Sequence, residues 1–252
     1  MDKHSDLVKD VKRVYQKHKG LYGYRRITLT LRKTIEKAVN YKTVAKIMNT
    51  LHLKSVIRVK KYKSYKGEVG KAAENMLQRN FKAKNPHEKW VTDVTEFKVA
   101  GNKLYLSPIM DLFNGEIISY NMSTSPNYAQ IVDMLDTAFK RRKKDNKEHI
   151  ETIFHSDQGW QYRLQKYQDK LKDNNIIQSM SRKGNCLDNA IIENFFGVLK
   201  SELFYLKKYN SIIELAKEIK EYIKYYNNER IRINLNGMSP VEYRAHHIKN
   251  IA

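Results

Sequence analysis

The chain has 252 residues, 48 Lys+Arg against 27 Asp+Glu, and a formal charge of +21. A hydrophobic share of 41% with 11% aromatics is enough for a core and excludes a wholly disordered chain. One cysteine, Cys186, excludes an intramolecular disulfide and a multi-cysteine zinc site, and no apolar run approaches the roughly 20 residues of a membrane helix. The first residues, MDKHSDLVKD, lack the apolar stretch of a signal peptide, so the expected setting is the cytoplasm, with no membrane partner.

The charge is concentrated at one end. Residues 1–84 hold 23 Lys+Arg and 6 Asp+Glu, whereas residues 85–252 hold 25 and 21. So dense a positive field on one third of the chain favours a polyanion, because neutralised phosphates release their counterions. Three short helices are predicted in this part. Ser5 caps one carrying Leu7, Val11 and Val14 that stops near Gly20; residues 24–33 set Ile27 and Leu31 on one face; Asn40 caps a third with Val44, Ile47 and Met48. Spacing alone also fits any small three-helix bundle; the charge favours a helix-turn-helix region over residues 1–55 whose last helix enters a DNA groove. Residues 56–84 read as a basic linker, because 58–67 interleave Lys and Arg with tyrosines and lack apolar periodicity.

After Pro86 the texture changes to strands. Residues 90–99 are β-branched and aromatic, Ala100-Gly101-Asn102 supplies a turn, residues 104–110 give a second strand, and Asn114-Gly115 turns into a third over 117–120. A helix over 128–142, a strand over 150–154, a helix over 163–171, a short strand from Ile176 and a long helix over 188–204 follow. Strand, strand, strand, helix, strand, helix, strand, helix is the order of a ribonuclease H-like α/β fold: a mixed five-stranded sheet with flanking helices, here assigned to residues 85–207. Residues 208–252 are expected to form a helical tail, with one helix over 211–227 and another opened by Ser239-Pro240.

Three acids stand out against this frame. Asp93 lies inside the first strand on the face of Val91, Thr95, Phe97 and Val99, where a carboxylate is costly unless positive charge meets it. Asp157 directly follows the fourth strand, and Glu193 lies on the long helix; 63 residues separate the first two and 35 the last two. Carboxylates suit Mg²⁺ or Mn²⁺, and two such ions activate a hydroxyl and stabilise the leaving oxygen at phosphorus. Spacing alone equally fits a chance triplet among the 27 acids. Lys200 falls two helical turns after Glu193 on nearly the same face, placed to hold a neighbouring phosphate. Arg25, Arg26, Lys42, Lys46, Arg182 and Lys183 are further candidate DNA contacts. Asp111 and Glu96 lie near enough to be alternative ligands, Asp188 and Asn189 read as capping and hydrogen-bonding residues rather than metal ligands, and His155 reads as structural or as a DNA contact.

The local sequences sharpen the reading. Trp90-Val91-Thr92-Asp93-Val94-Thr95-Glu96-Phe97, His155-Ser156-Asp157-Gln158-Gly159-Trp160-Gln161-Tyr162 and Ser179 to Cys186 followed by Asp188-Asn189-Ala190 and Glu193-Asn194-Phe195-Phe196 resemble the catalytic segments of insertion-sequence transposases of the IS-three family. Tyr22-Gly23-Tyr24-Arg25-Arg26-Ile27 upstream, and Tyr222 to Asn227, Arg230 and Ser239-Pro240 downstream, extend the likeness over nearly the whole chain. The resemblance implies a retroviral-integrase-like core with Asp93, Asp157 and Glu193 as metal-binding catalytic triplet, donor-end cleavage to a 3′-hydroxyl, and direct attack of that hydroxyl on DNA. It also agrees with a basic residue at Lys200. Double-stranded DNA is then the expected partner, both as element ends and as target, with a homo-oligomer assembled on it in a bacterial, nucleoid-associated setting. The family's full transposase is usually a frameshift fusion with an upstream frame carrying another helix-turn-helix and a leucine zipper. The sequence from Met1 on does not carry those elements, and an upstream-frame protein is accordingly an expected partner or fusion. A catalytically silent DNA-binding regulator or remnant of the element is the alternative function; a nuclease that cuts without joining is a third.

Overall fold

The computed structural model describes residues 5–35, 38–56, 73–125, 127–182 and 185–251. The whole basic stretch 58–67 singled out above lies outside these, as does Lys183.

Helices α1 (Ser5–Lys17), α2 (Tyr24–Ile35) and α3 (Tyr41–Thr50) close a small core of Val11, Val14, Tyr22, Ile27, Leu31, Val44, Ile47 and Met48. Asn40 caps α3 as its sequence suggests, its side chain accepting from the Lys42 amide at 2.9 Å. This module rests on the body of the protein. Ile231 completes its core, Tyr22 Oη donates to the Glu229 carbonyl at 3.2 Å, and Lys33 pairs with Glu242 at 2.6 Å.

The body is a mixed sheet. Strands β1 (Lys89–Thr92) and β2 (Thr95–Val99) both pair antiparallel with β3 (Asn102–Asp111), in one register that runs from Trp90 opposite Asp111 to Val99 opposite Asn102. They are therefore one lane, interrupted only at Asp93-Val94. That register sets Pro108, which has no N–H to give a ladder, across from Asp93. Strand β4 (Ile117–Ser123) pairs with the other side of β3, while β5 (Thr152–Ser156) runs parallel to β1, and β6 (Ile176–Met180) parallel to β5. The β3–β4 turn needs its glycine. Gly115 has φ +73°, and a Cβ there would lie 1.8 Å from Arg232.

Alternation along the strands splits the core into two layers. Trp90, Ile109 and Phe154 face α4 (Tyr128–Lys144) and α5 (Gln165–Lys172); Val91, Phe97, Leu106 and Met110 face α6 (Ala190–Leu199) and α7 (Ile212–Asn228). Helix α7 thus buries Leu215, Ile219, Tyr222, Ile223 and Tyr226 in the same core as the sheet, and α8 (Pro240–Ile251) plants Arg244 among Asp111, Glu116 and Asp145. The single helix expected over 188–204 is three pieces: a 3₁₀ turn Cys186–Asn189, α6, and a π turn Lys200–Phe204 closed by Tyr205 N–H on the Lys200 carbonyl at 2.8 Å. The reason is local. Glu202 must turn inward to meet Arg230 and Tyr222, and an extra residue in the turn provides the change of phase.

Candidate active site

Parallel pairing sets the first two acids level. Val91 of β1 registers with His155 of β5, and Asp93 and Asp157 each lie two residues further on. Adjacent lanes run about 4.8 Å apart, so both carboxylates leave the sheet at the same end. Asp93 sits at the interruption of its lane, where one carboxylate oxygen accepts from the Val94 amide at 2.7 Å. Asp157 accepts from the Gly159 amide at 2.9 Å in the same fashion. A Cβ at Gly159 would fall 2.6 Å from Gln161 Nε2 and 3.0 Å from Asp157 Oδ1, so a side chain there would have to displace the Gln161 amide and crowd the carboxylate.

Glu193 arrives from the α6 layer. Its neighbours Ile192, Phe195 and Phe196 anchor the helix in the core shared with Val91 and Phe97, and Asn189 Nδ2 donates to the Thr92 carbonyl at 3.1 Å. This last bond ties the start of α6 to the residue before Asp93. Burial pushes the Asp93 carboxyl well above the usual range; the charge of Asp157 and then that of Glu193 push the same way, against the Val94 amide and Lys200. Asp157 is raised by burial too, opposed by the Gly159 amide and Arg163. The three acids predicted from sequence are therefore brought within electrostatic reach of one another. Among the described residues, no group of three or more His, Cys, Asp or Glu is gathered closely enough to hold a metal ion as it stands. The donors nonetheless suit a hard divalent cation: half-buried carboxylates in mutual repulsion, which positive charge relieves.

Lys200 reaches over the sheet from the end of α6. Its ammonium donates to Thr95 Oγ1 at 2.6 Å and lies 5.1 Å from the centre of the Phe97 ring, one strand position beyond Asp93 and Val94. The other singled-out residues scatter. Asp111 is buried away from the site, bound to Arg244 at 3.0 Å and to the His87 and Phe113 amides. Glu96 pairs with Lys103 at 3.0 Å on the outer face of the β2–β3 hairpin. His155 is fully buried between Ser179 and Ser181, at 2.8 and 3.1 Å, and burial lowers its pKa to about 4, as suits a structural residue.

The candidate DNA contacts differ from one another. Arg25 is exposed beside the Tyr24 ring; Lys42 and Lys46 are exposed on α3 and line an open groove of about 510 Å³ with Val8, Ile47 and Leu51. Arg26 instead turns inward, 3.5 Å from Glu202. Arg182 grips Asp188, and Asp188 is completely buried. Sequence reading missed the roles of Asn189, Arg79 and Glu202, because each finds its partner far away in the chain and carries no local periodicity.

Integrase core domain families match residues 83–186 and 193–248, and an HTH-like domain family matches residues 3–61. The chain is 54% identical over 243 residues to a putative transposase InsK for insertion sequence element IS150 of Escherichia coli strain K12, covering 96% of this chain and 84% of that protein. It is 53% identical over 219 residues to an uncharacterized transposase-like protein of Haemophilus influenzae, covering 87% and 98%. A transposase for insertion sequence element IS904 of Lactococcus lactis is 34% identical over 244 residues, covering 95% and 94%.

Proposed function

From the premise that this chain belongs to the insertion-sequence transposases with an integrase core, we propose that it is the DNA transposase of its element, cutting the element ends to 3′-hydroxyls and joining them to new DNA. The observation that supports it most is the approach of Asp93, Asp157 and Glu193, three acids far apart in sequence, at one end of parallel β1 and β5 under α6. We assign these three carboxylates to Mg²⁺ or Mn²⁺. Such ions, when bound, activate the attacking oxygen and stabilise the leaving one in an in-line displacement at phosphorus.

The chain's own residues do the rest. The amides of Val94 and Gly159 each fix one oxygen of Asp93 and Asp157, which limits how the two carboxylates turn. Asn189 holds α6, and with it Glu193, against β1. Lys200, steadied by Thr95, offers a cation to the phosphate beside the scissile one. Arg25, Lys42 and Lys46 face solvent on the helix-turn-helix module and suit phosphate or groove contacts on duplex DNA, whereas Arg26 is committed to Glu202. Arg182 belongs to the loop that leads into α6, and Lys183, next to it in sequence, remains a proposed DNA contact. Assembly of several copies on DNA, and cooperation with an upstream-frame protein, belong to the same proposal. The test is to incubate the protein with duplexes carrying its element's own ends and Mg²⁺, then sequence the products. Joined strands support the transposase; cut but unjoined strands point to a nuclease, and intact DNA to a silent regulator.

A further inference from the structure

The loop before α6 holds an arrangement found at no other carboxylate among the described residues. Asp188 is fully buried, yet both arginines bound to it remain open to water: the side chains of Arg79 and Arg182 are 41% and 60% exposed. Elsewhere a buried carboxylate has at least one buried arginine: Glu202 has Arg230 at 3% and 6%, Asp111 has Arg244 at 0% and 5%, and Glu116 has the same Arg244 beside Arg141, which is 39% exposed.

The bonds around Asp188 fix both guanidiniums. Arg182 donates from Nε to Oδ2 and from Nη2 to Oδ1, each at 2.9 Å, and its own amide adds a third bond at 3.0 Å. Arg79 donates from Nε to Oδ1 at 2.8 Å and from Nη2 to Asn185 at 2.9 Å, and Asn75 gives Oδ2 another donor at 2.9 Å. One carboxylate cannot neutralise two guanidiniums, so the cluster carries net positive charge toward solvent. Each planar guanidinium keeps its Nη1 edge on the side away from Asp188.

The backbone is bent to make this possible. Gln78 and Arg79 are consecutive non-glycine residues in the left-handed region, at φ 45° and 61°. Two such residues in a row are strained, and persist only where their surroundings impose them. Here Asn75 Oδ1 accepts from the Gln78 amide at 2.8 Å, and Leu77 is sunk in the sheet core with its amide on Ser179 Oγ at 3.2 Å. The bend aims Arg79 at Asp188. Strain of this kind collects at functional positions.

We propose that Arg79 and Arg182, aimed by the buried Asp188, form a preorganised docking point for one backbone phosphate of the DNA that enters the carboxylate site. The inference rests on the transposase reading and extends it to a residue, Arg79, outside the acidic triplet and the helix-turn-helix module. Its position fits. Asp188 precedes Glu193 by five residues, about 8 Å along a 3₁₀ turn and the start of α6, or some two base steps of duplex. Fixed, half-exposed arginine forks suit phosphate better than mobile lysines do, since little freedom is left to lose on binding.

The experiment uses the full chain and a duplex of the element's terminal sequence, with affinity measured across a salt series for the parent, Arg182→Gln, Arg79→Gln and the double substitution. Loss of one phosphate contact lowers the slope of log K against log salt by about 0.9. We expect that decrease in the double variant, at least fivefold weaker binding near physiological salt, and cleavage that falls at limiting DNA but recovers at saturating DNA. Arg182→Gln leaves the Arg79–Asp188 pair intact, so it carries the test if the double variant does not fold. Parent-like slope and affinity in a variant that melts with the parent would overturn the proposal. Failure here is separable from failure of the transposase reading: the salt slope reports the phosphate contact even if the parent joins no ends, and the parent's joining reports the reaction even if the slope does not move.

Discussion

Asp93 and Asp157 are visible in the sequence because a carboxylate inside an apolar strand, or straight after one, has few bland explanations. The common register of β1 and β5 then accounts for their approach. Lys200 is a subtler case. Helical spacing aligns it with Glu193, but its bond to Thr95 and its place near Phe97 depend on the sheet beneath and have no local signal. That bond gives a prediction at this scale. Lys200→Ala removes the one ammonium that both offsets Asp93 and is offered to phosphate, so strand joining should drop about tenfold, equivalent to about 1.4 kcal/mol, with the melting temperature nearly unchanged. Joining at the parent rate across physiological salt would make Lys200 a surface residue that happens to touch Thr95. Asn189 and Arg79 lay beyond sequence reading for the same reason. An amide or a guanidinium declares nothing until the backbone it meets is known.

Among the elements, the strands and most helices follow from alternation, turn residues and caps. Asn40, Asn127 and Ser211 each cap the helix that follows. The stretch 186–204 was legible only in part. KSELF continues a helical pattern perfectly well, and the π turn arises from tertiary demand. Glu202 accepts from Arg230 at 2.8 and 2.6 Å and from Tyr222 at 2.8 Å, with Arg26 of α2 at 3.5 Å. Its carboxyl is held below the usual range: burial opposes this, but Arg230, Tyr222 and Arg26 outweigh it. Because Glu202 joins the end of α6, α7's exit and the helix-turn-helix module, removing it leaves buried arginine charge uncompensated. Glu202→Ala should therefore destabilise the protein by about 3–5 kcal/mol in urea unfolding. A loss below about 1 kcal/mol would show that the network is not the joint between these elements.

At the scale of the molecule, charge and composition pointed to a basic DNA-binding end and an α/β body. They did not show how closely the two are joined. The helical module borrows Ile231 for its core, and α7 completes the core of the sheet, so segments that look separate in composition share packing. Three buried histidines, one in α1's extension and two in the body, tie this packing to pH. Burial lowers His18, His87 and His155 from the usual 6.5 to about 4. The unfolded chain takes up these protons first, so stability is full above about pH 6.5 and is lost as pH falls toward 4. Each histidine contributes a slope of about 1.4 kcal/mol per pH unit within that window. The raised carboxyls of Asp93, Asp157 and Asp111 hold protons in the folded state over the lower part of this window and oppose the fall. The test is therefore the difference between parent and His155→Asn in urea unfolding at pH 7.5, 6 and 5: the variant should lose one proton of slope, and equal slopes would contradict the assignment of His155 as buried and neutral.

The claim that organises all of this is that three carboxylates on one end of the sheet make a DNA-joining centre. It is tested most directly by comparing the parent with Asp93→Asn, Asp157→Asn and Glu193→Gln on duplexes carrying the element's own ends, with Mg²⁺ present and then chelated, reading cut and joined strands together with DNA affinity. The account predicts that the parent cuts and joins only with the divalent cation, and that each substitution abolishes both steps while leaving DNA binding nearly as tight. Near-parental joining by Asp93→Asn, or joining by the parent after chelation, would contradict it.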